Sequence, residues 1–206
     1  YYVGAKAKQS GQMQGELIAD YIKNNPGVDK NGDGRIQYVI LEGEMGHQDA
    51  IVRTESVTES MKNNGLQIEQ LSCQIENWYR AQAQNRMKQL IGQYKNSIEL
   101  VIANNDAMAL GAIDAYEKLG VTESNVPAFF GVDGTDDGLE AVQQSKLAAT
   151  VYNDKEGQAR AMAQLAYLAA TGGSMKNIKF EDKKYVYLPY EKVTHDNVNE
   201  FVKEEQ

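Results

Sequence analysis

The feature that most constrains how this chain can fold is a regular alternation of short apolar runs with longer amphipathic stretches. Strand-like runs fall at Ile36 to Glu42, Ile68 to Ile75, Ile98 to Ala103, Ala128 to Val132, Ala148 to Tyr152 and Tyr185 to Leu188. Between and around them, apolar positions recur at helical spacing. These stretches are Gln12 to Asn24 with Ser10 as its N-cap, Asp49 to Asn63, Arg80 to Tyr94, Ala107 to Leu119, Asp137 to Gln144, Gln158 to Ala170 and a short piece near Asn197 to Val202. Gly65 and Gly120 stand where two of the helices must stop. Strand, helix and strand joined by short links pack well as parallel neighbours with right-handed crossovers. The expected class is therefore α/β, an open and mainly parallel sheet flanked by helices. Tyr38-Val39-Ile40-Leu41 reads as a strand covered on both faces.

Hydrophobic residues are 42% of the 206, enough for a substantial core, and no apolar run approaches the roughly 18 residues of a membrane span. A net charge of −8 repels a polyanion on average, which disfavours nucleic acid as a partner. Cys73 is the single cysteine, so no intrachain disulfide can form, and it reads as a small apolar strand residue. Met87, Met108 and Met162 lie in helical stretches among apolar neighbours and read as core.

The segment Asp29-Lys30-Asn31-Gly32-Asp33-Gly34-Arg35-Ile36-Gln37 places oxygen donors at every second position around a glycine that permits a sharp turn. That is the opening of a calcium loop. Asp29, Asn31, Asp33 and Gln37 would supply side-chain oxygens, and Arg35 only its backbone carbonyl. The twelfth position, where such loops carry a bidentate Glu, is Ile40. A hard cation wants six to eight oxygens, so a carboxylate from a distant segment must complete the set. An Asx-rich turn without an ion is the alternative.

Ligands of open α/β sheets bind beyond the carboxyl ends of the strands. Those ends carry Glu44, His47, Asp49 and Arg53, then Asn77 and Trp78, then Asn104, Asn105 and Asp106, then Asp133, and finally Asn153 and Asp154. Carboxylates and amides exchange hydrogen bonds with hydroxyls, Arg offers a planar donor fork, and indole a flat apolar face. The inventory suits a neutral sugar ring. It does not suit phosphate: there is no Walker-type loop, and Gly131-Val132-Asp133-Gly134 lacks the spacing of a dinucleotide turn. Singly, Asp49 and Asn105 read equally well as helix caps, Trp78 as a packing residue and His47 as a local hydrogen-bond partner.

The calcium loop, Gly46-His47-Gln48-Asp49 with Arg53, Ile102 to Ala109, Phe130-Gly131-Val132-Asp133 and Thr150 to Asp154 together resemble the periplasmic glucose/galactose-binding proteins, sugar-binding subunits of ABC transport. The resemblance runs over nearly the whole chain. It implies that His47, Asp49, Arg53, Asn105, Asp133 and Asn153 hydrogen-bond a hexose, glucose or galactose, and that Trp78 stacks on it. It also implies that Glu99 is the distant carboxylate completing a Ca²⁺ site with Asp29, Asn31, Asp33, Arg35 and Gln37. Members have two lobes joined by three crossings, and by this likeness the chain begins at the first crossing. Residues 1–153 then form the C-terminal-type lobe, 154–190 belong to a lobe otherwise missing, and 191–206 return to the first. Such a truncated chain is expected to bind calcium, to hold sugar weakly, and to self-associate through the uncovered face of the helix from Gln158 to Ala170. The implied partners are a transporter permease and a chemoreceptor, and the implied place is the periplasm or an extracellular lipoprotein.

Two rivals remain open on these residues. The effector core of a LacI-type regulator shares the architecture, although it would need a basic helix-turn-helix ahead of it. A glycosidase would use His47 with Asp49, or Asp133 with Asp154, as acid and base. No nucleophile with an adjacent base is evident, so no enzymatic activity is expected.

Overall fold

The computed structural model describes residues 1–202. Its strands are β1 (Tyr2–Gly4), β2 (Ile36–Glu42), β3 (Ile68–Ile75), β4 (Leu100–Ala103), β5 (Ala128–Phe130), β6 (Ala149–Asn153), β7 (Tyr185–Tyr187) and β8 (Tyr190–Thr194). The helices are α1 (Ala7–Asn24), α2 (Gln48–Asn63), α3 (Arg80–Tyr94), α4 (Asp106–Leu119), α5 (Asp136–Gln143) and α6 (Lys155–Thr171). Six strands form one sheet in the order β3-β2-β4-β5-β6-β8. Its first five strands run parallel and β8 closes the edge antiparallel to β6. The expected α/β class is thus observed.

The period-two alternation of the strands splits the interior into two cores. Val39, Leu41, Val101, Ala103 and Phe129 point to the face covered by Met87, Met108 and Leu139 from α3, α4 and α5. Tyr38, Ile40, Leu100, Ile102 and Phe130 point to the face covered by Ile18, Val57 and Met61 from α1 and α2. A strand buried on both faces has no need of polar alternation, which is why β2 and β4 read as continuous apolar runs. Because α2 and α3 lie on opposite faces, the chain reverses direction between β2 and β4. That is the switch point at which α/β sheets open a crevice.

β1 and β7 pair in parallel as a separate two-stranded sheet, with α6 beside β1. Only Leu165 of α6 is buried. Met162 is 49% exposed, contrary to its reading as core, because its side of α6 is left uncovered: Ala159 and Ala166, one turn before and after it, are exposed too. Three further readings are corrected. The first helix starts at Ala7 with Lys6 before it, so Ser10 is no cap; it is buried inside the helix and donates to the Ala7 carbonyl at 2.8 Å. Cys73 is exposed, since β3 is an edge strand, and its thiol lies 3.6 Å from Glu42. The final helix near Asn197 shortens to a single 3₁₀ turn, Val198–Glu200, and residues 203–206, which the resemblance assigns to the returning segment, lie outside the described residues.

Candidate functional site

Arg53 organises the switch-point edge. It projects from α2 and is buried at 6% exposure, so its guanidinium must find acceptors within the protein. Nη1 donates to the Asn104 carbonyl at 2.5 Å and to Asp133 Oδ1 at 3.3 Å, and Nη2 donates to the Tyr190 hydroxyl at 3.2 Å. Burial, the largest single influence, works against the charge, while Asp133, Tyr190 and Asp49 together outweigh it and hold the group above its ordinary pKa. Asp133 is raised by burial and pulled back by Arg53 and by a hydrogen bond from Asn153. It sits at φ 117°, in a region that L residues rarely adopt, held there by hydrogen bonds from its amide to the Val151 carbonyl (2.8 Å) and from the Asn153 amide to its own carbonyl (3.0 Å).

Trp78 lies beside this pair, with the Arg53 guanidinium carbon 5.9 Å from its ring centroid and the His47 ring edge-on at 5.3 Å. Asn105 caps α4, accepting from the Met108 amide at 3.0 Å, and its side-chain amide donates to the Trp78 carbonyl at 3.3 Å. The cap of α2 is His47, whose Nδ1 accepts from the Asp49 amide at 3.2 Å, so the Asp49 carboxylate is not spent on capping. Asn153 accepts from Gln158 at 2.6 Å. All seven predicted sugar residues thus stand along one rim of the sheet. Asp154, in contrast, caps α6 by accepting from the Gly157 amide at 2.8 Å.

Two supports of this rim, Tyr190 and Gln14, were not singled out from sequence, and a third, Asp106, was named at a strand end without a role of its own. Tyr190 comes from β8, a strand whose charged central residues hide it. Gln14 of α1 is buried and donates to the carbonyls of Ala103 and Gly131 at 3.0 and 3.1 Å, clamping the ends of β4 and β5 together. Asp106 is wholly buried behind the rim, where it accepts from Thr150 Oγ1 (2.6 Å) and the Thr135 amide (2.8 Å). Burial first, and then the neighbouring charge of Asp133, push its pKa up to about 7 against those hydrogen bonds. No local pattern marks Gln14, which lies inside α1 and reaches the strand ends only through the fold.

At the opposite end of β4, the 29–37 loop folds over Glu99, which is 1% exposed. One Glu99 oxygen accepts from the Lys30 amide at 2.6 Å and the other from the Gln37 amide at 2.9 Å. Asp29 accepts from the Gly32 and Gly34 amides at 2.7 and 2.9 Å, and Asn31 Nδ2 reaches Asp33 at 3.1 Å and Gln37 at 3.2 Å. Here Asp29, Asn31, Asp33, Gln37 and Glu99 come together with their side-chain oxygens turned to the loop's own N–H groups, and Arg35 joins them through its amide, which donates to Asp33 at 2.7 Å. Among the described residues, no group of three or more His, Cys, Asp or Glu converges tightly enough to hold a metal. The donor set itself, carboxylate and amide oxygens without sulfur or imidazole, is of the kind a hard cation takes.

Among the described residues, no helix is long and apolar enough to cross a membrane. A model of the periplasmic binding protein domain matches residues 1–174. The chain is 42% identical over 206 residues to the D-galactose/methyl-galactoside binding periplasmic protein MglB of Haemophilus influenzae, covering 98% of this chain and 61% of the relative. It is 31% identical to a putative rhizopine-binding protein of Rhizobium meliloti, covering 97% and 59%. A Bacillus halodurans ABC transporter solute binding protein with bound myo-inositol superposes with TM-score 0.80 at 32% identity, covering 97% of this chain and 62% of that one. The chain thus spans about three fifths of the length of these relatives. On the domain match and this likeness, the chain belongs to the periplasmic binding protein family.

Proposed function

We propose that this chain is the sugar-holding part of a substrate-binding component of an ABC transporter, exported to the periplasm or an extracellular lipoprotein, and that its ligand is galactose or glucose. The observation that carries the reading is Arg53, Asp133, Asn105 and Trp78 meeting on the rim of the switch point. A charged donor fork, a carboxylate acceptor, an amide and an indole face are what a hydroxylated ring requires. Galactose, named for the Haemophilus relative, and myo-inositol, bound in the Bacillus structure, are both such rings. The LacI-type alternative is not favoured, since the relatives named above are solute-binding proteins. Hydrolysis is not favoured either: the relatives named above are binding proteins, and of the carboxylate pair Asp133 is held by Arg53 while Asp154 caps α6.

In a two-lobed protein the ligand would draw both walls together, and a permease or chemoreceptor would read the closed form. With one wall alone, the loss of about 4 kcal/mol of contacts would weaken affinity about a thousandfold. Calcium, held by Asp29, Asn31, Asp33, the Arg35 carbonyl, Gln37 and Glu99, would tie the loop to β4. The apolar side chains exposed on α6, Met162 and Tyr167, would drive self-association, visible as a concentration-dependent mass in sedimentation.

Trp78 is the only tryptophan, so its fluorescence reports on the rim alone. Titration with a panel of hexoses, on this chain and on the whole gene product where the gene is longer, should give saturation by galactose or glucose and none by a neutral linear polyol. No response to any hexose from the whole product would refute the reading.

A further inference from the structure

Trp78 rests on backbone that would not adopt its shape unaided. Asn77 and Trp78 have φ of 51° and 68°, two successive left-handed residues of which neither is glycine. The turn follows β3 and is tied at each end. The Glu76 amide donates to the Glu42 carbonyl at 2.8 Å, the Tyr79 amide to the Glu76 carbonyl at 2.9 Å, and Asn105 to the Trp78 carbonyl at 3.3 Å. The Glu76 side chain is buried at 3% exposure and accepts from Arg86 Nε at 2.9 Å, which anchors the turn to α3. The indole is held separately. A Cβ built on Gly43 would lie 2.2 Å from Trp78 Cη2, 2.2 Å from Cζ2 and 2.5 Å from Cε2. Nearly equal, short distances to three consecutive atoms of one ring place that point over the flat of the ring and not beyond its edge. The backbone at Gly43 therefore covers one face of the indole.

We propose that Gly43 and the Glu76–Arg86 pair are positioning residues for Trp78: they preset the indole as a one-sided platform, with backbone against one face and the other left for the ligand ring. Gly43 sits in the link from β2 to α2, and its own amide donates to Asn104 Oδ1 at 3.1 Å. The platform is thereby registered to the same switch-point residues that hold Arg53. Any side chain at 43 must push the indole off this seat, since the displaced atoms belong to a rigid bicyclic ring. The expectation that the platform serves a sugar rests on the function proposed above, whereas the seating of the ring does not.

The test separates the two. In the 206-residue chain without sugar, Gly43→Ala should shift Trp78 emission to the red, increase its quenching by iodide and diminish its near-ultraviolet dichroism, with the far-ultraviolet spectrum retained. Glu76→Ala should move the same signals in the same direction. Glu76→Gln, which keeps the volume and an acceptor for Arg86, should restore them to wild type, whereas Glu76→Met, which fills the space without an acceptor, should not. If Gly43→Ala does not fold, the Glu76 variants decide. Wild-type emission and quenching in Gly43→Ala, or indistinguishable Ala and Gln variants at 76, would overturn the proposal. Where the spectra shift as described, galactose affinity of the whole gene product should fall about tenfold or more in Gly43→Ala. Displaced indole with unchanged galactose affinity would uphold the seating and remove Trp78 from the sugar site.

Discussion

Asp106→Asn should flatten the dependence of stability on pH. Asp106 has no exposed surface, and its carboxyl is raised from an ordinary 3.8 to about 7, first by burial and then by Asp133. Its geometry explains why no solvent reaches it: a Cβ on Gly131 would lie 2.2 Å from Oδ1, and one on Gly138 2.3 Å from Oδ2, so both oxygens are enclosed by backbone. Folding therefore holds the Asp106 proton more tightly than the unfolded chain does. Between pH about 4 and about 7, the folded state keeps a proton that the unfolded chain has released. The contribution is fully present below about pH 4 and is lost as pH rises through about 7. At about 1.4 kcal/mol per pH unit, the interval amounts to about 4 kcal/mol. Asparagine can turn its oxygen to the Thr135 amide and its NH₂ to Thr150 Oγ1, and it does not titrate. Urea unfolding at closely spaced pH, wild type minus variant, should give a difference that falls by about 4 kcal/mol across the window. A constant offset from the changed hydrogen bonds moves the whole curve and leaves its slope intact. A flat difference would refute the assignment of a buried, near-neutral acid to this position.

Arg53→Met removes the cation that faces Asp133; because Asp133 is 30% exposed, the cost at neutral pH should be about 2–3 kcal/mol, below that of a fully buried pair. A double cycle with Asp133→Asn should show coupling above about 1 kcal/mol, and additivity would contradict the pairing. Calcium at about a hundredfold over its Kd should add about 2.7 kcal/mol to stability. That rise in melting temperature should vanish in chelator and in Glu99→Gln; its absence from the wild type would count against the loop as a cation site. Phe130→Ala should cost about 3–5 kcal/mol in urea unfolding, since Phe130 is fully buried with Tyr21 edge-on at 5.5 Å, and a loss below about 1 kcal/mol would show that the core there collapses freely.

The elements most legible in the sequence are those whose burial imposes a strict local period. β2 and β3 have the bounds read from the apolar runs, and α4 ends at Gly120 in the left-handed conformation that glycine was expected to supply. The elements that escaped reading are those made by distant pairing. β1 is three residues that are extended because β7 lies beside them. β8, with Glu191 and Lys192 at its centre, is a strand because β6 offers it a register, Asn153 opposite Tyr190 and Ala149 opposite Thr194. Met162 looks like core to any periodic reading, since the pattern reports which face is apolar and not whether another element covers it.

For the site, residue types at strand ends were enough to gather the candidate residues, because parallel α/β topology delivers every such end to one edge. Which of those residues would touch was a different matter. Arg53 is held by partners 51, 80 and 137 positions away, and no local pattern relates Arg53 to Tyr190. Backbone and side-chain periodicity are short-range properties, written into a few consecutive residues. Hydrogen-bond partners, the left-handed turn under Trp78 and the enclosure of Asp106 come into being only once the crossovers have brought remote segments into register, where burial forces each polar group to find the neighbour that satisfies it.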